Sequence, residues 1–417
     1  MKVDDLIPDL FRTEYRKIIS VLCKRFGFDH IEIAEDIASE TFLTAAQTWG
    51  LNGLPDHPKA WLYGVAKNKA KNYLHRDSIL RNKILPELKK DSADFSEREI
   101  DLSNQNIEDS QLQMMFAVCH PSISKEAQIG LSLRILCGFG IEEIADAFLT
   151  NKETINKRLF RAKEKLRNEN VKIELPDPVE IEERLDSVLT TVYLLFSEGF
   201  YSTSRNTTLH KGLSLEAIRL CTILAENPNT NKPQVNALLA LMCFHISRFE
   251  ARLDETGEPI LYEEQNTNLW NSEWIAKGEF FLHRATGGNQ VSKFHLEAGI
   301  AYWHTRKENT KEKWRNVLRL YDHLVTIETS PVILLNRIFA LSKVRGKEEA
   351  IREAENLRFK ENRYFFLLLG ELYTTLDDKK SELHFQKALS LSKTQSEKNS
   401  IRKKIDLLRG SNQKFRE

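Results

Sequence analysis

The chain has 417 residues, 41% of them hydrophobic and 29% charged, with a formal net charge of +1. That length suits two or three domains, and the composition is that of a globular chain rather than a disordered one. The near-neutral balance excludes a generally basic nucleic-acid coat, so any DNA affinity must come from local clustering of charge. Cys23, Cys119, Cys137, Cys221 and Cys243 include no Cys-x-x-Cys pair, so neither a disulfide framework nor a zinc cluster is expected, and a reducing compartment is. The start, Met1-Lys-Val-Asp-Asp-Leu6, lacks the apolar core of a signal peptide. No apolar run approaches the roughly 20 residues that span a bilayer. A cytoplasmic protein with no membrane contact, metal or cofactor is the expectation.

Apolar spacing at Leu6, Leu10, Tyr15, Ile18, Ile19 and Leu22 predicts helices through residue 76, forming a first domain over 1–78. Gly50-Leu-Asn-Gly-Leu-Pro-Asp-His-Pro58 breaks them with turn-forming residues. Residues 91–110 hold seven acids against one basic residue, Arg98, which marks 79–110 as an acidic linker, with a solvated helix as the alternative. A second helical domain is expected over 111–172, closed by Leu175-Pro-Asp-Pro178. From 179 to 417 the spacing is again helical. There, Asn336–Leu357, with Ala340, Gly346, Ala350 and Ala354, resembles Leu369–Leu389, which carries Leu-Gly-x-x-Tyr and Phe-x-x-Ala-Leu elements, at an offset of roughly 32 to 34 residues, as in tetratricopeptide (TPR) repeats. A Glu-Thr-Gly turn within Arg252–Glu264 suggests one small β-hairpin in an otherwise all-α chain.

Three motifs carry chemistry. The first is a helix-turn-helix pattern. Ile141, Ile144, Ala145 and Phe148 give the supporting helix one buried face, and Thr150 with Glu153 makes a capping box for the helix that follows. In that second helix Ile155, Leu159 and Ala162 face inward, while Lys152, Asn156, Lys157, Arg158, Arg161, Lys163 and Lys165 face out. Residues 152–172 hold eight Lys or Arg against three acids, a surface suited to base edges and phosphates of a major groove. The second motif is a basic helix, with five Lys or Arg and no acid over 59–76. Trp61, Asn68, Asn72 and His75 share one face of it, which suits a single strand by stacking and phosphate neutralisation. A solvated lysine face with Trp61 in the core fits the same pattern. The third is Glu32, Asp36 and Glu40, aligned at every fourth residue. Alone, this stripe is better explained by a solvated helix face.

Taken together, Ala34-Glu-Asp-Ile-Ala-Ser-Glu-Thr-Phe42, Trp61-Leu-x-x-Val-Ala-x-Asn68, Glu143-Ile-Ala and Arg161-Ala-Lys resemble the sigma-70 family, in its small extracytoplasmic-function type. The resemblance implies that residues 1–78 are region 2 and 111–172 region 4. It implies docking of Glu32, Asp36 and Glu40 on the clamp helices of the largest subunit of core RNA polymerase. It further implies that Trp61, Lys67, Asn68, Lys71, Asn72, His75 and Arg76 engage the −10 element as it melts, while the loop from Gly50 to Pro58 cradles an extruded base. Lys152, Glu153, Thr154, Asn156, Lys157, Arg158 and Arg161 would read the −35 element. The partners are therefore polymerase and promoter DNA, double- and single-stranded.

Downstream, Arg184-Leu-x-x-Val-Leu, Ala240-Leu-Met, Glu264-Gln265 with Leu269-Trp270, and Ser330-Pro-Val-Ile-Leu-Leu-Asn-Arg337 resemble the subgroup with a C-terminal TPR-like domain, implying regulation in cis and a peptide or protein ligand. The chain departs from the family pattern at Asn72, at Gly140 and in the turn Leu149-Thr-Asn151. Two rival readings remain at this point. One is a helix-turn-helix regulator with a TPR-like sensor that does not bind polymerase core; it leaves residues 32–76 unexplained. The other is an enzyme resting on Glu198, Asp254, Glu263, Glu264 and His283, for which helix-surface and turn acids are the simpler account.

Overall fold

A computed structural model describes residues 3–79, 100–148, 150–201, 207–252, 260, 262–288, 290–357, 359, 361–392 and 395–414. The first helix, α1 (Val3–Phe26), buries Ile18, Ile19 and Leu22 against α2 (Ile31–Asn52). Gly27, at φ +76°, reverses the chain between them, a conformation that costs a residue with a Cβ. A 3-10 turn, Phe28–His30, leads into α2. Gly53, at φ +81°, closes α2 by donating to the Trp49 carbonyl at 3.1 Å. The basic helix α3 (Pro58–Ile79) then lays Leu62, Ala66 and Ala70, all fully buried, onto α1 and α2. Val65 and Tyr73 of the same helix are half-buried.

Four helices follow: α4 (Asn104–Val118), α5 (Lys125–Ile135), α6 (Ile141–Ala147) and α7 (Lys152–Asn168). The acidic linker is shorter than the sequence suggests. Ser103 caps α4 by accepting from the Asn106 amide, and Ile107 and Ser110 are buried, so 104–110 is structured helix. The earlier part of that linker, 80–99, lies outside the described residues. Its end is tied to α1, where the Lys24 ammonium donates to Asn106 Oδ1 at 3.2 Å.

The largest departure concerns α8 (Pro178–Tyr201) and α9 (Thr207–Glu226). A domain boundary at 179 was expected, yet the chain divides into compact units at Asn231/Lys232. Pro178 begins a helix rather than ending a domain, since its missing N–H is unneeded in a first turn. Ile181, Leu185, Val188, Leu189, Val192, Leu195 and Phe196 are buried, and α8 packs on α4, α5 and α9. At roughly 1.5–3 kcal/mol for each fully buried large apolar side chain, this face is integral to the first unit.

The second unit contains α10 (Pro233–Ile246), α11 (Ser272–Ala285), α12 (Lys293–Thr305), α13 (Lys311–Ile327), α14 (Pro331–Arg345), α15 (Lys347–Asn356), α16 (Arg363–Tyr373), α17 (Asp378–Ser390) and α18 (Gln395–Lys414). Each packs mainly on its neighbours in sequence. Close approaches recur where a glycine faces a large side chain. A Cβ at Gly278 would stand 2.5 Å from the Phe244 ring, and one at Gly370 would stand 2.5 Å from the Phe385 ring. The fold is 80% helical, with no strand among the described residues. The expected hairpin falls mostly on 253–259 and 261, outside the described residues; its second arm, Tyr262–Glu264, is a 3-10 turn and not a strand.

Candidate polymerase and nucleic-acid interface

The acidic stripe forms as spaced: Glu32, Asp36 and Glu40 are all exposed on α2. Their environments differ. Glu40 pairs with Lys69 of α3 at 3.0 Å. Glu32 meets two cations of α7, with Oε1 3.2 Å from the Lys163 Nζ and Oε2 2.5 Å from the Arg167 Nη2. Partial burial alone would raise the Glu32 carboxyl. Backbone N–H groups at the start of α2, with Lys163 and Arg167, outweigh it and hold the group below the usual carboxylate range. Glu35, between the stripe positions, pairs with Arg134 of α5 at 3.0 Å and lies 3.7 Å from Lys163.

On α3, Asn68, Lys71, Asn72, His75 and Arg76 are exposed along the solvent side, while Lys67 is half-buried. Trp61 is also half-buried and meets Trp49 edge-on at 5.3 Å between ring centroids. It therefore joins the packing while keeping one face outward. What orients α3 was not visible in the sequence. Glu14 of α1, fully buried, accepts from the Tyr63 hydroxyl at 2.5 Å and pairs with Lys17 and Lys59, each at 3.1 Å. Burial pushes its carboxyl up; Tyr63 and the two lysines more than offset this, so it stays ionised below its ordinary value.

Of the expected helix-turn-helix core, Ile144, Ala145, Ile155, Leu159 and Ala162 are buried, joined by Leu166, while Ile141 and Phe148 are only half-buried. Its cap is one residue later than the sequence suggests. Asn151, not Thr150, accepts from the Thr154 amide, at 2.8 Å. Asn is at least as good a cap as Thr, and it displaces the expected capping box. At Gly140 the Glu143 carboxylate accepts from the backbone N–H at 2.6 Å, partly replacing the missing side-chain cap. Lys152, Glu153, Thr154, Asn156, Lys157 and Arg161 are exposed, and Lys152 pairs with Glu142. Arg158 is half-buried, its guanidinium 5.2 Å from the centre of the Phe148 ring. An open groove of about 570 Å³ runs beside α7, lined by Thr154, Lys157, Arg158, Arg161 and Lys165 together with Ser122 and Ser124 of the α5 approach. Four cations and three hydroxyls suit a phosphate backbone.

Lys163, expected to face outward with these cations, instead faces α2. Both it and Arg167 lie on the opposite edge of the helix from the groove. Residues 131 and 135 positions apart meet there, so no local signal could have shown it.

Residues 10–79 match the sigma-70 region 2 family, and residues 184–286 match a family of unknown function, DUF6596. The RNA polymerase sigma-H factor of Pseudomonas aeruginosa is 30% identical over 163 residues, 37% of this chain and 82% of that protein. The chain belongs to the RNA polymerase sigma factor family. Such a factor is a non-enzymatic component of transcription initiation. The sigma factor YlaC of Bacillus subtilis is 28% identical over 41% of this chain and 96% of its own length. An uncharacterized Rhizobium meliloti protein, R00370, is 31% identical over 91% of both chains. No solved structure matches. The DUF6596 match begins inside α8 and ends just past α11, so it crosses the boundary between the two units.

The enzyme reading has no geometric support among the described residues. Glu263 is paired with Lys343, His283 sits in the last turn of α11, and Asp254 lies outside the described residues. No group of three potential metal ligands occurs among the described residues, and no described helix is long and apolar enough to cross a membrane.

Proposed function

We propose that this sigma factor is of the extracytoplasmic-function type and directs RNA polymerase to promoters by holding two DNA contacts on one chain. Core polymerase docks on the α2 face of Glu32, Asp36 and Glu40 through its clamp helices. The outer side of α3, from Trp61 to Arg76, engages the −10 element during melting, and the loop between α2 and α3 receives an extruded base. The exposed N-terminal turns of α7 and its cationic groove read the −35 element. The observation that carries this reading is the pairing, in one chain, of a region 2 match over residues 10–79 with a capped helix-turn-helix bordered by a cationic groove. A helix-turn-helix regulator with no polymerase contact leaves that match without a purpose.

The helices of 232–417 act as a TPR-like regulator in cis and take a peptide or protein ligand. Successive helix pairs with glycine-mediated crossings support it. A cut that tests this belongs after Asn231, because one at Pro178 would strip α8 and α9 from the apolar faces of α4 and α5.

Co-elution with core polymerase tests the proposal. The full chain should form a complex. Asp36→Lys/Glu40→Lys should weaken it by at least about thirtyfold at unchanged helix content, because like charges then meet across the interface. Equal retention of both chains would refute the assignment of α2.

A further inference from the structure

The recognition helix α7 has two cationic edges, and only one borders the groove. Lys157, Arg158, Arg161 and Lys165 line it, and Lys163 and Arg167 point the other way. Their target is the face of α2 that carries the first acid of the docking stripe. Both carboxylate oxygens of Glu32 are taken, Oε1 by Lys163 and Oε2 by Arg167. Arg167 also donates through Nε to the Phe28 carbonyl at 2.8 Å, at the turn that starts α2. Arg134, in the last turn of α5, donates to Glu35 at 3.0 Å and to the Phe139 carbonyl at 3.2 Å. Lys163 and Glu35 are only 13% and 15% exposed, so this seam is built rather than incidental.

A carboxylate already neutralised by two cations of α7 offers a second protein less unpaired charge until they move aside. We propose that the seam is an intramolecular lock: α7 and the end of α5 cover Glu32 and Glu35, and core polymerase binds only after the seam opens. The proposal rests on the reading of α2 as the docking face. Its chemistry suits exchange. The seam is polar, and Glu32 keeps about half its surface in water, so a competing cationic surface can displace Lys163 and Arg167 one contact at a time. Polymerase affinity is then reduced by the fraction of molecules that are closed. The −35 groove stays open in the locked form, so the lock governs polymerase docking and not access to that groove.

The test uses the full chain. Spin labels at Gln47→Cys and Asn168→Cys report the α2–α7 separation; both positions are exposed, and all five native cysteines are buried. The free chain should give one narrow distance, which lengthens when core polymerase is added. Lys163→Gln/Arg167→Gln should broaden the distance without polymerase and bind core about tenfold more tightly. Glu35→Gln loosens the seam from the other side, leaves the docking stripe intact, and should tighten binding in the same direction. Lys163→Arg, which keeps the charge, should behave as the unaltered chain. A distance unchanged on complex formation, or loosened variants that bind core no more tightly, would overturn the lock while leaving the docking assignment standing. If no version of the chain elutes with core polymerase, the docking assignment itself fails and takes the lock with it.

Discussion

Ion pairs join helices in both units of this sigma factor, but the glycine–phenylalanine crossings among the described residues fall in the second. In residues 1–231, acids bridge separate helices to cations: Glu14 to Lys59, Glu32 to Lys163 and Arg167, Glu35 to Arg134, and Glu216 to Arg16. In residues 232–417 ion pairs also join helices, as Arg337 to Asp322 and Glu353, and aromatic crossings are added where Phe244 covers Gly278 and Phe385 covers Gly370. Polar seams exchange partners at modest cost, whereas an apolar seam that opens exposes its whole face to water. The α2–α7 seam of the first unit is thus the cheaper to open, and the Phe244 and Phe385 crossings of the second are the costlier.

The strongest challenge to this contrast is Phe385→Ala. The ring is 2% exposed and packs with Ala388, Ile401 and Ile405, so its loss should cost about 3–5 kcal/mol in denaturant unfolding of the second unit. A cost below about 1 kcal/mol would mean that the crossing is not close-packed. Next in size is the cationic groove. Lys157→Ala/Arg161→Ala should lower the salt slope of promoter binding by about two, since each lost phosphate contact removes about one. These two are cleaner choices than Arg158, whose removal also uncovers Phe148. An unchanged slope would place DNA elsewhere.

The smallest expected effect is a difference in pH response. Burial raises Glu297 of α12 to about 7, against the smaller opposing influence of Lys293. Its folded-state pKa exceeds the unfolded value, so its stabilisation is complete below about 4.5 and is lost as pH rises through about 7. Glu14, Glu32 and Glu216 have lowered values and work the other way: their stabilisation holds above the unfolded pKa and is lost as pH falls. Acid therefore weakens the ion-paired seams, and base removes a contribution from the second unit. Between pH 6.5 and 8 the unaltered second unit should lose about 1 kcal/mol more stability than Glu297→Gln. Buried His304, lowered to about 3, and Lys313, lowered to about 8, titrate alike in both chains and cancel. Parallel pH profiles for the two chains would remove Glu297 from the account.

Helical periodicity made most elements legible, because one buried face per helix writes itself at every third or fourth position. The core of α7 and the exposed row on α3 followed directly from that spacing. Features set by sequence-distant partners did not. Glu14 looks like any helix acid until Tyr63 and Lys59 are seen around it, and Lys163 has the same spacing as a DNA-facing lysine. The boundary was misplaced because Pro178 marks a helix start as readily as a domain end, and nothing local told that α8 returns to α4 and α5. Thr150 and Asn151 are both good caps, and only the chain path decides between them.

Promoter-dependent run-off transcription with core polymerase tests the central claim most directly. Adding the full chain should produce transcripts from defined start sites, and Lys157→Ala/Arg161→Ala should reduce them more at high salt than at low. Transcripts identical to those made by core polymerase alone would contradict the account.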